Sequence, residues 1–204
     1  MGQKGDQTRE HIMAKAEKII LQRGYSGTSI DEVIKESGIT KGGFFYHFSG
    51  KSDLAKHLML RYLDNDLKFF KGLAERACDL TEDPLQQLLL FLRLLAESME
   101  DLPGLHPGCL VASFAYEAHQ FDDEIRNLNA QGVLAWRQVF IELLENVTVK
   151  YPMKLQKPVT ELADMLSTTI EGGIILSRVL EEQHILPKQL LQYRNYMRLM
   201  FEPD

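Results

Sequence analysis

The residues best equipped for chemistry lie in one short stretch, Thr40-Lys41-Gly42-Gly43-Phe44-Phe45-Tyr46-His47-Phe48. A capping hydroxyl, a cation, two residues of bare backbone and an ionisable ring stand in succession. Nothing there pairs a nucleophile with a base, so covalent catalysis is a poor fit. Contact with a polyanion is a good one. Hydroxyls, lysine and backbone N–H groups hold phosphates, and a slim polar helix can enter a major groove and reach base edges. Gly42 and Gly43 each disfavour a helix by about 1 kcal/mol relative to alanine. They either relax a tight turn or leave room for a groove. His47 is either a core-edge histidine bonded to backbone or a phosphate contact, and Lys51 is either a solvated lysine or an anion contact beside a helix start.

The elements that must position these groups can be read around them. Thr28 or Ser29 can N-cap a helix whose first turn holds Asp31 and Glu32 and whose apolar face is Ile30, Val33 and Ile34. Gly38 suits a left-handed stop, and Thr40 caps the next helix, with Phe44 and Phe48 turned to a core. Two short helices around a glycine-containing turn make a helix-turn-helix pattern. Helices are predicted on either side: Thr8 to Arg23, Ser52 to about Cys78, Pro84 to Met99, Pro107 to Glu117, Asp122 to Lys150, Thr160 to Glu182 and Pro187 to Phe201. The expected fold is all-α, with a three-helix head at 1–51 and a larger helical bundle at 52–204.

Competing chemistries fail on spacing. Gly50-Lys51-Ser52 is the tail of a nucleotide-binding loop, but the glycine required five residues earlier is Phe45. No GxSxG, HExxH, CxxC or GxGxxG occurs, and the six histidines form no ligand-spaced pair. No cofactor, no metal and no catalytic residue are expected. Two cysteines do not make a disulfide framework, no apolar run reaches membrane-spanning length, and the N-terminus lacks a secretory h-region. A cytoplasmic protein with no membrane partner is the economical reading. The net charge of −6 hides an asymmetry: residues 1–51 hold 8 Lys/Arg against 6 Asp/Glu, and residues 52–204 hold 15 against 23. The basic end is the helix-turn-helix end, as phosphate attraction requires.

Residues 8–54 resemble the DNA-binding head of the tetracycline-repressor (TetR) family of bacterial regulators. Thr8-Arg9, Ile12, Ala16, Gly24-Tyr25, Thr28-Ser29, Gly38-Ile39-Thr40-Lys41-Gly42, His47-Phe48, Lys51 and Leu54 carry the likeness. The resemblance implies base-reading or groove-facing roles for Thr40, Lys41, Gly42 and Gly43, and phosphate-positioning roles for Thr28, Ser29, Tyr46, His47 and Lys51. Phe45 stands where the family usually has tyrosine, so one phosphate hydroxyl is missing there; Tyr46 lies about 100° further round the helix.

Beyond residue 54 the likeness is one of architecture only. It implies an effector pocket and a homodimer. Phe69, Phe91, Leu95, Phe114, Tyr116, Trp136, Phe140, Met165 and Thr168 are the candidate pocket lining, either as a ligand site between helices or as ordinary core. Thr169, Gly172, Gly173, Leu176, Leu190 and Met197 are candidates for a four-helix dimer interface. Cys109, expected in the first turn of a helix, is a candidate thiol sensor by resemblance to a Gly-Cys-Leu patch in one subgroup, or else a packed apolar residue. The expected function is a transcriptional regulator bound to a double-stranded DNA operator and released by a small-molecule effector. An all-helical adaptor or a small-molecule-binding protein without DNA binding is the alternative.

Overall fold

The structure is a computed structural model that describes residues 3–202. Among the described residues it is built from nine α-helices and a short 3-10 turn, without strands: α1 (Gln3–Arg23), α2 (Ile30–Ser37), α3 (Lys41–His47), α4 (Lys51–Leu80), α5 (Pro84–Glu100), α6 (Leu110–Tyr116), the turn Ala118–Gln120, α7 (Asp123–Lys150), α8 (Val159–Val179) and α9 (Ile185–Phe201). No helix among the described residues is long and apolar enough to cross a membrane.

Local chemistry accounts for the boundaries. Ser29, not Thr28, caps α2: its hydroxyl accepts the Glu32 N–H at 3.1 Å. Gly38 ends α2 at φ +65°, sending its N–H back to the Ile34 and Lys35 carbonyls. Asp83 accepts the Gln86 N–H at 3.0 Å while Pro84 opens α5, where its missing N–H costs nothing. The same carboxylate takes bonds from Lys150 and Tyr151, each at 2.6 Å. The Lys150 and Tyr151 bonds, foremost among its partners, hold its pKa down at about 2.

The chain divides into two compact units, and not at the expected boundary of 51/52. One comprises Met1–Asn65 together with Pro107–Gly132; the other comprises Asp66–His106 and Val133–Asp204. Helices α4 and α7 each contribute to both. The reason is that α6 packs on α1, so residues 107–132 fold with the helix-turn-helix and not with the bundle. Within the first unit Ile12, Ala16, Ile20, Phe44, Phe48 and Leu58 form the core. Arg61 ties α4 to α1 through Glu10 and Glu17, and Arg9 lies 5.4 Å from the centre of the Phe48 ring.

In the second unit α9 packs against both α5 and α8. A glycine permits the tight α8–α9 approach: a Cβ on Gly173 would lie 2.7 Å from Leu186 Cδ1 and 3.1 Å from its Cα. The buried Ser177 hydroxyl accepts the Leu186 N–H at 3.2 Å, and Tyr193 donates to the Leu162 carbonyl at 2.8 Å, so the seam is polar as well as apolar. Burial pushes the Tyr193 phenol well above its ordinary range, so it stays protonated and donating.

Candidate nucleic-acid interface

Helix α3 is short and lopsided. Thr40 caps it by accepting the Gly43 N–H at 3.1 Å, which fixes the angle at which α3 leaves the turn. Phe44 is fully buried and Phe48, just past the helix, nearly so. At 100° per residue, Lys41, Phe45, Gly42 and Tyr46 fall in that order across a sector of about 140°. All four are exposed, Phe45 at 46% and Tyr46 at 70%. A Cβ built on Gly42 would meet nothing within 4 Å, whereas one on Gly43 would lie 3.3 Å from Thr40 Oγ1. Gly42 therefore faces open space, and Gly43 belongs to the cap.

The phosphate-positioning candidates separate into exposed and withdrawn groups. Ser29 and Tyr46 are exposed. His47 is half-buried, with its ring edge-on to Tyr46 at 4.9 Å and its Nδ1 buried without a partner among the described residues. Thr28 is a correction: it is buried, and its hydroxyl donates to the Gly24 carbonyl at 2.8 Å, closing the α1–α2 turn. Lys51 is occupied as well. Its Nζ donates to the Tyr25 carbonyl at 2.6 Å and sits 4.1 Å from the centre of the Tyr25 ring. Burial lowers its pKa, against an opposing pull from the Glu117 charge.

Glu117 makes a structural contact beside the helix-turn-helix that sequence reasoning missed. Its carboxylate accepts the N–H of Tyr25 at 2.6 Å, the N–H of Ser26 at 2.8 Å and the Ser26 hydroxyl. Burial alone would raise its pKa, but the Ser26 and Tyr25 bonds and the Lys51 charge together hold it below the usual glutamate range. Gly24, at φ +77°, makes the approach possible, since a Cβ there would lie 2.7 Å from Glu117 Oε1. Tyr25 itself is buried against Phe121 and Phe114, with ring centres 4.5 and 5.8 Å away. Two opposite charges from distant segments thus clasp the peptide that leads into α2. Glu117 and Tyr25 are 92 positions apart, and no local pattern marks the pairing.

The expected effector-pocket residues do not form one group. Phe91, Leu95 and Phe140 are buried in the second unit, where Phe140 contacts Phe91 at 5.9 Å and Phe70 at 5.2 Å, with half-buried Trp136 beside Phe70 at 6.3 Å. On α4 the ring turned into this cluster is Phe70; Phe69 is partly exposed. Phe114 is corrected to the first unit, stacked on Phe121 at 4.3 Å, and Tyr116, 77% exposed, lines no core. Met165 and Thr168 are exposed on α8, Thr168 bonding the Met165 carbonyl at 2.9 Å. A separate cleft of about 470 Å³ opens between α4 and α7, edged by Lys71, Glu75, Cys78, Asp79, Glu142 and Asn146.

The expected interface residues also divide. Gly173, Leu190 and Met197 are buried against their own chain and cannot present a surface, because α9 already covers that side of α8. Thr169 and Gly172 are half-exposed and Leu176 is 47% exposed. Met165, Val179 and Leu199 continue the exposed apolar set on α8 and α9. Cys109 lies one residue before α6, not in its first turn. It is buried, and its sulfur accepts the Ala112 N–H at 3.5 Å; Cys78 is exposed.

A capped turn that presents a short helix with one bare, cationic and aromatic side is a helix-turn-helix. The match to known proteins makes the class specific. Residues 12–58 match the tetR family of bacterial regulatory proteins, and residues 84–188 match the C-terminal domain of LmrA/YxaF-like transcriptional regulators. The chain belongs to the TetR family of DNA-binding transcriptional regulators, and it is a regulator rather than an enzyme. It is 29% identical to the HTH-type transcriptional regulator LmrA of Bacillus subtilis (strain 168) over 177 residues, 83% of this chain and 86% of that protein. YxaF of the same organism is 27% identical over 179 residues, 87% of each. The fold is that of a TetR-family regulator from Agrobacterium tumefaciens, with a TM-score of 0.80 at 18% identity over 97% of this chain and 100% of the other. The reduced form of NemR from Escherichia coli superposes with a TM-score of 0.76 at 20% identity, over 93% and 96% of the two chains.

Proposed function

We propose that this regulator is a homodimeric repressor which occupies a palindromic operator and leaves it when a small molecule binds the second unit, in a cytoplasmic setting. The exposed sector of α3 carries the reading: Lys41, Gly42, Phe45 and Tyr46 stand clear of their own core on a helix held by Thr40. Thr40 and Lys41 would read base edges, while Ser29, Tyr46 and His47 would hold phosphates. Two such helices must sit about 34–36 Å apart to enter successive major grooves. An effector that prefers another spacing shifts the population away from the bound state. Helix α4, which contributes to both units, supports a connecting role, and the apolar cluster of Phe91, Leu95, Phe140 and Trp136 supports the second unit as the sensing one. The exposed stripe of Met165, Thr169, Gly172, Leu176 and Val179 supports pairing through α8.

The test is a gel-shift series on a selected operator and a scrambled duplex across a range of salt. Binding should weaken steeply with salt as counterions are released. Lys41→Ala should lose affinity for the operator selectively. Equal losses on both duplexes would remove Lys41 from base reading.

A second reading makes Cys109 the sensing group. It is favoured by the sulfur's place as N-cap, where the Ala112 N–H stabilises a thiolate. Under this reading Cys109 reacts with a thiol reagent faster than exposed Cys78, and Cys109→Ser binds DNA but ignores the reagent. Labelling of Cys78 alone, with DNA binding unchanged, would leave Cys109 as packing.

A further inference from the structure

We infer that the Phe45 ring reads thymine, packing against the C5-methyl group of one A·T pair in each operator half-site. The inference rests on the DNA-reading role of α3 and names what one of its residues selects. Phe45 is 46% exposed on a helix whose other phenylalanine is fully buried. The ring is not loose: it meets Phe44 edge-on, at 5.3 Å between centres and 84° between planes, so the core ring sets its direction. One turn earlier, Gly42 adds no side chain and opens on empty space. On the far side of Gly42 stands Tyr46, 70% exposed. Phe45 and Tyr46 are thus the two walls of a gap whose floor is backbone. A duplex edge that comes down onto Gly42 must touch the Phe45 ring.

A phenyl ring can do little in a groove. Of the groups that make up the major-groove code, all are hydrogen-bond donors or acceptors except one, the thymine methyl, which the smaller C5–H of cytosine does not match in apolar surface. Pressed against guanine O6 or N7, or the amino group of cytosine or adenine, the ring strips water from a polar atom and returns no bond. Pressed against the methyl, both surfaces leave water with gain. The same ring therefore favours thymine and penalises the polar edges. A phosphate role is closed to it, because phenylalanine has no donor. Lys41, 40° away on the other side, is the group suited to guanine O6 and N7. Tyr46 retains the hydroxyl suited to phosphate. The sector thus divides into a cationic reader, an apolar reader and a phosphate contact.

The test uses the full chain and a random 30-base-pair duplex library, from which bound sequences are selected. The selected duplex is then resynthesised with single deoxyuridines in place of thymidines, which removes one methyl at a time and leaves base pairing intact. At one thymine per half-site the substitution should lower wild-type affinity about four-fold, the worth of one buried methyl. Phe45→Ala should bind the thymine and uracil forms of that position equally, while keeping wild-type sensitivity elsewhere. Phe45→Leu, still apolar, should retain the discrimination. Since Phe45 lies outside the core, circular dichroism should show all three proteins equally folded. The proposal is overturned if no uracil position matters to the wild type, or if Phe45→Ala keeps the discrimination. Failure of the selection to enrich any sequence, with equal binding to every duplex, would instead bring down the sequence-specific reading of DNA and this inference with it.

Discussion

Two glycine pairs, Gly42-Gly43 on α3 and Gly172-Gly173 on α8, look alike in the sequence and are used alike in the structure. In each, the second glycine is committed inside the chain: Gly43 against the Thr40 cap, Gly173 against Leu186 of α9. A Cβ on the first would meet nothing beyond its own helical turn within 4 Å among the described residues. Empty space beside a helical glycine is wasteful for the isolated chain, since alanine there would stabilise the helix by about 1 kcal/mol. At these two positions the open space is where the proposed function places another molecule. Under the proposed function that molecule is DNA on α3 and a second copy of the chain on α8.

Substitutions can break this parallel. The largest effect is expected from Gly173→Leu, which drives a side chain into Leu186 and its backbone. It should cost about 3 kcal/mol, the upper end for overpacking, read as a lower midpoint in urea unfolding. Gly42→Leu should do the opposite to the fold, raising stability by up to about 1 kcal/mol through helix propensity. Operator affinity should fall about ten- to hundred-fold, as a clash of about 1–3 kcal/mol at the groove requires. A melt and a gel shift on the same sample separate the two signs.

Gly172→Leu should leave the melt of the chain unchanged or slightly raised and weaken self-association, measured by sedimentation across a dilution series. If it destabilises the chain as Gly173→Leu does, the two glycines do not divide their tasks. The smallest effect is expected at Gly43→Ala. The helix gains about 1 kcal/mol, but the new Cβ crowds the Thr40 hydroxyl that caps it, a cap worth a similar amount. The net change in stability should stay within about 1 kcal/mol, with operator affinity moving less than for Gly42→Leu.

Sequence patterns report what is local. Gly38 at φ +65°, Thr40 as cap, Pro84 after Asp83, and buried Phe44 and Phe48 were all legible, because each depends on neighbours within four residues. The helix-turn-helix and the all-α class follow from the same short-range signals. What failed depends on pairing across the chain. Helical spacing shows that Leu190 and Met197 are apolar and aligned, but not whether α8 or a second copy covers them. The boundary at 51/52 assumed that the head ends with its motif, whereas α6 returns to it. Lys51 looked like an anion contact because of its place at a helix start; its bond to the Tyr25 carbonyl arises from a turn 26 residues away.

The clasp of Glu117 on Tyr25 and Ser26 has a consequence for synthesis. The recognition helix leaves the ribosome early, but the aromatic slot and the carboxylate that secure the turn before α2 come from residues 114, 117 and 121. At about 5–20 residues per second, those residues follow Tyr25 by about 5 to 20 seconds. Through that interval Tyr25 lacks the Phe114 and Phe121 rings, and Lys51 lacks the Glu117 charge. A nascent chain can therefore hold a completed helix-turn-helix sequence without a completed DNA-binding unit. Under the proposed function, competence to bind an operator is expected only when the middle of the chain has been made.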